Sequence, residues 1–102
     1  MRVKMSTIMR VVCDEFDVTE EQIKGNNRIN KFIIPRFAFY YLSYKYGHSY
    51  KRIGMWLNDR DHTTVLHGKR RATQYLGEDR LNKLDSQIQI LNNKMYHQQG
   101  EQ

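Results

Sequence analysis

The sequence predicts an all-α domain built around a helix-turn-helix and followed by an extra C-terminal amphipathic helix. Apolar residues recur at spacings of three and four along most of the chain. Helix-starting residues (Thr19, Ser49 and Asp61) precede such runs, and Gly25, Gly47 and Gly77 close them. The length of 102 residues is about one domain's worth. With no internal repeat or low-complexity tract, residues 1–97 are expected to form one domain and 98–102 a disordered tail.

In chain order, Ser6 can cap a first helix whose buried stripe is Ile8, Val11, Val12 and Phe16. Thr19 with Gln22 three residues on is a capping-box pattern, and Gly25 suits the position after that short helix. Asn26, Asn27 and Asn30 mark a loop carrying Arg28. Lys31 to Tyr46 is rich in β-formers and on propensity could be a strand. Pro35 near its start, Gly47 at its end and a stripe of Ile34, Phe37 (or Ala38), Tyr41 and Tyr44 (or Lys45) favour a helix. Ser49 opens a helix of about two turns burying Ile53, Trp56 and Leu57. Asn58-Asp59-Arg60 forms a tight turn, and Asp61 caps a helix running to Gly77. Two helices joined by so short a turn form a helix-turn-helix, whose second helix enters the major groove of DNA. The last helix, about 78 to 96, carries Leu81, Leu84, Ile88, Leu91 and Met95 at alternating spacings of three and four. That stripe either packs on the domain's own core or forms a short coiled-coil seam.

Charge narrows the function. Residues 24–71 hold eleven basic side chains against Asp59 and Asp61, whereas 1–23 and 72–102 are each net acidic. All the excess of the net +6 therefore sits in the central half, and a concentrated basic surface suits a polyanion, most often nucleic acid. The alternative is a solvated basic face without a partner. No apolar run is long enough to span a membrane, and the N-terminus lacks the apolar stretch of a signal peptide. Cys13, the one cysteine, can form neither an internal disulfide nor a zinc site, so a cytoplasmic, metal-free and cofactor-free protein is expected. No phosphate-cradling glycine motif is present. His62 and His67 lie five apart, about 140° around a helix, and cannot share a metal. Two acids in a strongly basic segment are a poor cage for a divalent cation, so no enzyme and no small-molecule substrate are expected.

The segment Arg60-Asp61-His62-Thr63-Thr64-Val65-Leu66-His67 places three β-branched residues in a row near a helix start. Helix stability alone would not select them. A recognition helix supplies a reason, because its first turns point at base edges. An Asp carboxylate accepts from cytosine N4, a Thr methyl touches the thymine methyl, and a His N–H donates to purine N7 or to O6 or O4. Thr63, His67 and Arg70 or Arg71 share one face, while Val65, Ala72 and Leu76 can turn inward. The competing reading is that Asp61 only caps and the histidines are solvated.

The run RDHTTVLH at 60–67 resembles the signature of the C-terminal DNA-binding domain, domain IV, of the bacterial replication initiator DnaA. The likeness extends upstream through Ile53-Gly54 and Pro35-Arg36 to Arg28, and covers roughly residues 8 to 76. It implies an all-α, Trp-repressor-like helix-turn-helix fold. It also implies that Arg28 reads an A·T-rich minor groove. Asp61, His62, Thr63 and Thr64, with His67 nearby, would face bases in the major groove. Arg36, Ser49, Lys51, Arg60 and Arg70 would hold the DNA backbone. The chain departs from the family at Phe37, where a polar Gln is common, at Asn58-Asp59, where Gly-Gly is usual, and in a slightly shorter Gly47-His48-Ser49 loop.

The resulting expectation is a sequence-specific binder of double-stranded DNA at DnaA-box-like sites, regulating replication or transcription by occupancy. The ATP-dependent domain of a full initiator is not in the sequence, which suggests a free-standing binder from a phage or other mobile element. A monomer is the default, with a homodimer through Leu81, Leu84, Ile88, Leu91 and Met95 as the alternative. The rival function is a protein-interaction adaptor that uses the same C-terminal helix to bind a replication protein.

Overall fold

A computed structural model describes the backbone of residues 2–100 and the side chains of residues 2–95. Five helices follow one another: α1 (Met5–Phe16), α2 (Glu20–Lys24), α3 (Asn30–Lys45), α4 (Tyr50–Trp56) and α5 (His62–Gly100). Gly77, at φ 78° and ψ 158°, divides α5 into segments 62–76 and 78–100. The expected tail at 98–102 falls where side chains are not described, and 101–102 lie outside the described residues altogether.

Helix α1 buries Ile8, Val11 and Val12 as its spacing predicts. Its start differs: Lys4 is the N-cap, without a side-chain bond, and Ser6 lies inside the first turn. Burial of Val3 and Met5 fixes the entry of the chain here, not a hydroxyl. In α2 both halves of the capping box are made, Gln22 N–H donating to Thr19 Oγ1 at 3.1 Å and Thr19 N–H to Gln22 Oε1 at 3.0 Å. Gly25 follows in an extended conformation, not a left-handed one.

Helix α3 lies at the centre of the domain. Of the expected stripe, Ile34, Phe37, Tyr41 and Tyr44 (or Lys45) are only half-buried or exposed and the alternative Ala38 is buried; the buried set is Phe32, Pro35, Arg36, Ala38, Phe39, Tyr40, Leu42 and Ser43. The reason is that α1, α2, α4 and α5 all pack around it, so more than one face is covered. Its end is a Schellman motif: Gly47 at φ 93° donates its N–H to Tyr44 O, and His48 donates to Ser43 O.

Helix α4 begins at Ser49, whose Oγ accepts from Arg52 N–H at 3.2 Å. It buries Ile53 and Gly54, Leu57 at its C-cap is buried too, and Trp56 stacks on Phe39 with ring centroids 5.5 Å apart. The turn to α5 passes through Asn58 and Asp59, both left-handed (φ 60° and 58°). Arg60 N–H then returns to Gly54 O at 2.7 Å. A Cβ on Gly54 would lie 2.1 Å from Arg60 O, so only glycine allows α4 and the turn to approach so closely.

Beyond Gly77 the terminal segment packs on α1 and α3. Leu81, Leu84 and Ile88 are 0–1% exposed, and Leu91 is half-buried. Three residues of the stripe that could form an intermolecular seam are thus spent on the domain's own core, while Met95 at its end is 36% exposed. Polar contacts fix the register. Lys45 Nζ donates to Asp85 Oδ2 at 2.9 Å, Tyr46 donates its hydroxyl to Asp85 Oδ1, and Arg80 pairs with Glu15 at 3.6 Å.

Candidate nucleic-acid interface

Segment 62–76 shows its chemistry by how it is buried. Val65, Gly68 and Ala72 turn inward, and a Cβ on Gly68 would lie 2.4 Å from the Tyr40 ring. Small inward residues let the helix lie close on α3 while its opposite face stays open. Thr63, His67, Arg70 and Arg71 on the outer side of the helix are exposed, and His62 and Thr64 on its flanks are exposed as well. Asp61 starts the helix. Its Oδ1 accepts Thr63 N–H at 3.2 Å and lies 3.0 Å from His62 Nδ1. The Thr63 N–H bond, aided by the neighbouring His62, holds the Asp61 carboxyl below the usual carboxylate range. With its Nδ1 proton donated to Asp61, a neutral His62 presents Nε2 outward as an acceptor, and a protonated one presents it as a donor. Capping and outward presentation coexist, so the two sequence readings of Asp61 are compatible.

The eleven central cations divide into two sets. Lys24 pairs with Glu20 and sits 4.2 Å over the Trp56 ring, Lys45 pairs with Asp85, and Lys69 lies 4.5 Å over Tyr44, which stacks on Tyr50. Arg36 and Arg60 turn inward, as described below. Arg28, Lys31, Lys51, Arg52, Arg70 and Arg71 are exposed, and among the described residues their side chains make no hydrogen bond or ion pair. The outward charge therefore lies on the Arg28 loop, at the starts of α3 and α4, and on segment 62–76 itself.

One expected backbone-binding residue, Arg36, is corrected, and a second, Arg60, has part of its guanidinium turned inward. Arg36 is 7% exposed and spends its guanidinium on main-chain carbonyls: Nε to Ile23 O at 2.7 Å, Nη1 to Asn27 O at 2.7 Å, and Nη2 to Gln22 O and Gly25 O at 3.1 and 2.8 Å. Four of its five donors are thereby satisfied inside the protein, and a phosphate cannot reach them. Burial, and then the charge of Arg60, pull its pKa below the usual arginine value. Arg60 is half-buried and its Nη2 faces Ile23 O, Lys24 O and Gly25 O. Sequence reasoning missed this role. The signal was an arginine between Pro35 and Phe37 in an otherwise apolar run, a setting more typical of an internal ligand than of a surface cation.

No group of three or more His, Cys, Asp or Glu among the described residues is arranged to hold a metal. No helix among them is long and apolar enough to cross a membrane.

A short helix, a glycine-dependent tight turn and a second helix with a polar, β-branched open face define a helix-turn-helix domain of the DNA-binding class. The family model described as bacterial dnaA protein helix-turn-helix matches residues 5–71, and the chain belongs to that family. Among its relatives are chromosomal replication initiator proteins DnaA. That of Deinococcus deserti is 31% identical over 96 residues, covering 93% of this chain and 20% of the relative. That of Rhizobium meliloti is 34% identical over 91 residues, covering 88% and 18%. That of Acholeplasma laidlawii is 45% identical over 60 residues, covering 58% and 14%. The chain thus spans about a fifth or less of the length of these relatives.

Proposed function

We propose that this protein binds double-stranded DNA sequence-specifically at DnaA-box-like sites and, by occupying them, regulates replication or transcription. Segment 62–76 lies in the major groove, with Asp61, His62, Thr63, Thr64 and His67 toward the bases. Arg28 enters the neighbouring minor groove, whose narrow A·T-rich form attracts an arginine. Ser49, Lys51 and Arg70 hold phosphates; the Ser49 oxygen accepts from Arg52 N–H while its proton remains to donate. The observation that carries this reading is the open face of Thr63, Thr64 and His67 opposite Val65, Gly68 and Ala72, flanked by cations with no internal partner.

The test is selection of bound duplexes from a random pool, followed by titration of the selected duplex against a scrambled one at fixed salt. Specific recognition predicts a discrimination of at least about 10³-fold; equal affinity for both duplexes removes it. Lys51→Ala should weaken both duplexes alike and lower the salt slope by about one.

A further inference from the structure

Three side chains from two distant parts of the chain converge on the end of α2. A helix leaves its last four carbonyls without intrahelical partners, and here those of Gln22, Ile23 and Lys24, with Gly25 just after, are taken up by side chains. Arg36, from α3, binds Gln22 O, Ile23 O and Gly25 O, and reaches on to Asn27 O at 2.7 Å. Arg60, the residue before the recognition cap, binds Ile23 O, Lys24 O and Gly25 O. Asn58 in the left-handed turn donates its amide to Lys24 O at 3.3 Å. Among the described residues neither arginine has a carboxylate partner, so two like charges are held together by carbonyl oxygens alone.

The consequence lies three residues downstream. Arg28 is the exposed residue between two anchored neighbours. Asn27 is tied through its carbonyl to Arg36, and its Oδ1 accepts Ile29 N–H at 3.1 Å. Ile29 caps α3, its carbonyl accepting from Phe32 and Ile33 N–H, both at 3.0 Å. The loop bearing Arg28 is thus bound at its base to the same turn that launches segment 62–76.

We infer that Arg36, Asn58 and Arg60 are positioning residues forming a clamp that sets Arg28 at a fixed distance and angle from the recognition helix. The clamp makes the two reading elements act as one rigid ruler. It contributes specificity without touching DNA. The inference rests on the proposed DNA reading, but the clamp itself is also visible without DNA.

Two measurements on the full chain separate the cases. In the free protein, Arg60→Lys should raise amide exchange and fast backbone motion at 26–29, with the segment 62–76 amides unchanged; unaltered 26–29 amides would overturn the clamp whatever happens with DNA. With DNA, the probes are the selected and scrambled duplexes across a salt series, below the unfolding temperature of each variant. Arg60→Lys and Asn58→Ala should reduce discrimination about tenfold while leaving the salt slope unchanged, because no phosphate contact is lost. Adding Arg28→Ala to Arg60→Lys should then cost much less than Arg28→Ala alone. A slope lowered by about one identifies Arg60 as a phosphate ligand and overturns the inference, as does strict additivity with Arg28→Ala. Arg36→Lys serves as a third variant only where circular dichroism shows native helicity. If wild-type protein fails to discriminate the duplexes while Arg60→Lys still loosens 26–29, the DNA reading falls and the clamp stands as architecture.

Discussion

Before Gly77, α5 turns Val65, Gly68 and Ala72 inward; after it, Leu81, Leu84 and Ile88. The first set has little apolar area to bury. Its smallness instead lets the helix approach the Tyr40 ring closely and leaves the outer face to polar and β-branched residues that do not favour a helix. The second set buries large side chains, each stabilising the fold by about 1.5–3 kcal/mol. Polar ties from Asp85 to Lys45 and Tyr46 and from Arg80 to Glu15 hold it in register. One segment keeps an open polar face, the one proposed to read DNA, and is held in place; the other does the holding. Gly77 permits the division because its positive φ turns the second segment onto α1 and α3, a conformation that other residues rarely adopt.

The comparison is sharpened most by a cavity in the anchoring half. Leu84→Ala should destabilise the domain by about 2–5 kcal/mol in denaturant unfolding, with discrimination between duplexes unchanged in the protein that remains folded. A cost under about 1 kcal/mol would mean that the terminal segment is not an anchor. The opposite pattern is expected at Thr63→Ala, which should cost about 1–3 kcal/mol in discrimination and within about 0.5 kcal/mol in stability, as usual for a surface site. If both variants lost stability and specificity in parallel, the division at Gly77 would have no functional meaning.

The polar tie at Asp85 adds a pH signature to the anchoring half alone. Burial raises the Asp85 carboxyl, but the Tyr46 hydroxyl and Lys45 outweigh it, and its pKa ends below the usual value. A carboxyl depressed on folding stabilises above its unfolded pKa, and that contribution is lost as pH falls through the folded value. Tyr46 is pushed up to about 12 by burial and then by its bond to Asp85. Its contribution is present below about 10, the unfolded phenol value, and is lost as pH rises through about 12. The unfolding temperature should therefore fall at both limits, and Tyr46→Phe should flatten the alkaline one. Asp85→Ala should cost about 1–3 kcal/mol at neutral pH; an unchanged acid limb in that variant would refute the assignment.

The smallest effect is expected in the turn that joins α4 to the reading segment. Asp59 is exposed and left-handed, and no hydrogen bond or ion pair of its side chain is present among the described residues. Asp59→Gly should stabilise the fold by about 0.5–1 kcal/mol and tighten binding to all duplexes alike by removing a negative charge. Asn58→Gly should gain less or lose stability, because the Lys24 O bond goes with it. Equal gains at the two positions would show that the Asn58 bond contributes nothing.

Much of this organisation was legible in the residues. The Thr19 and Gln22 box, the Ser49 and Asp61 caps, the Gly47 terminator and the Gly77 break are local devices, and each occurs where its spacing places it. The exposure of Thr63, Thr64 and His67 was equally legible, because exposure on a helix follows from angular position once the inward residues are known. The buried face of α3 was not. A helix packed by four neighbours has no single apolar stripe, and Ile34, Phe37, Tyr41 and Tyr44 looked like one only because aromatics are dense there. The start of α1 was misplaced for a related reason, burial of Val3 and Met5 outweighing the cap available at Ser6.

The sequence by itself determined most helix ends, the concentration of positive charge and the polar face of 62–76, since all of these follow from short-range spacing and composition. Only the tertiary structure decided which cations face outward, and that the terminal stripe of Leu81, Leu84 and Ile88 closes on its own core. It alone turned Arg36 from an expected phosphate ligand into an internal one, and drew Arg60 Nη2 to the same carbonyls. A guanidinium can give its donors to a phosphate or to a set of free carbonyls. Which of them it meets depends on where a helix some 13 to 37 residues away happens to end.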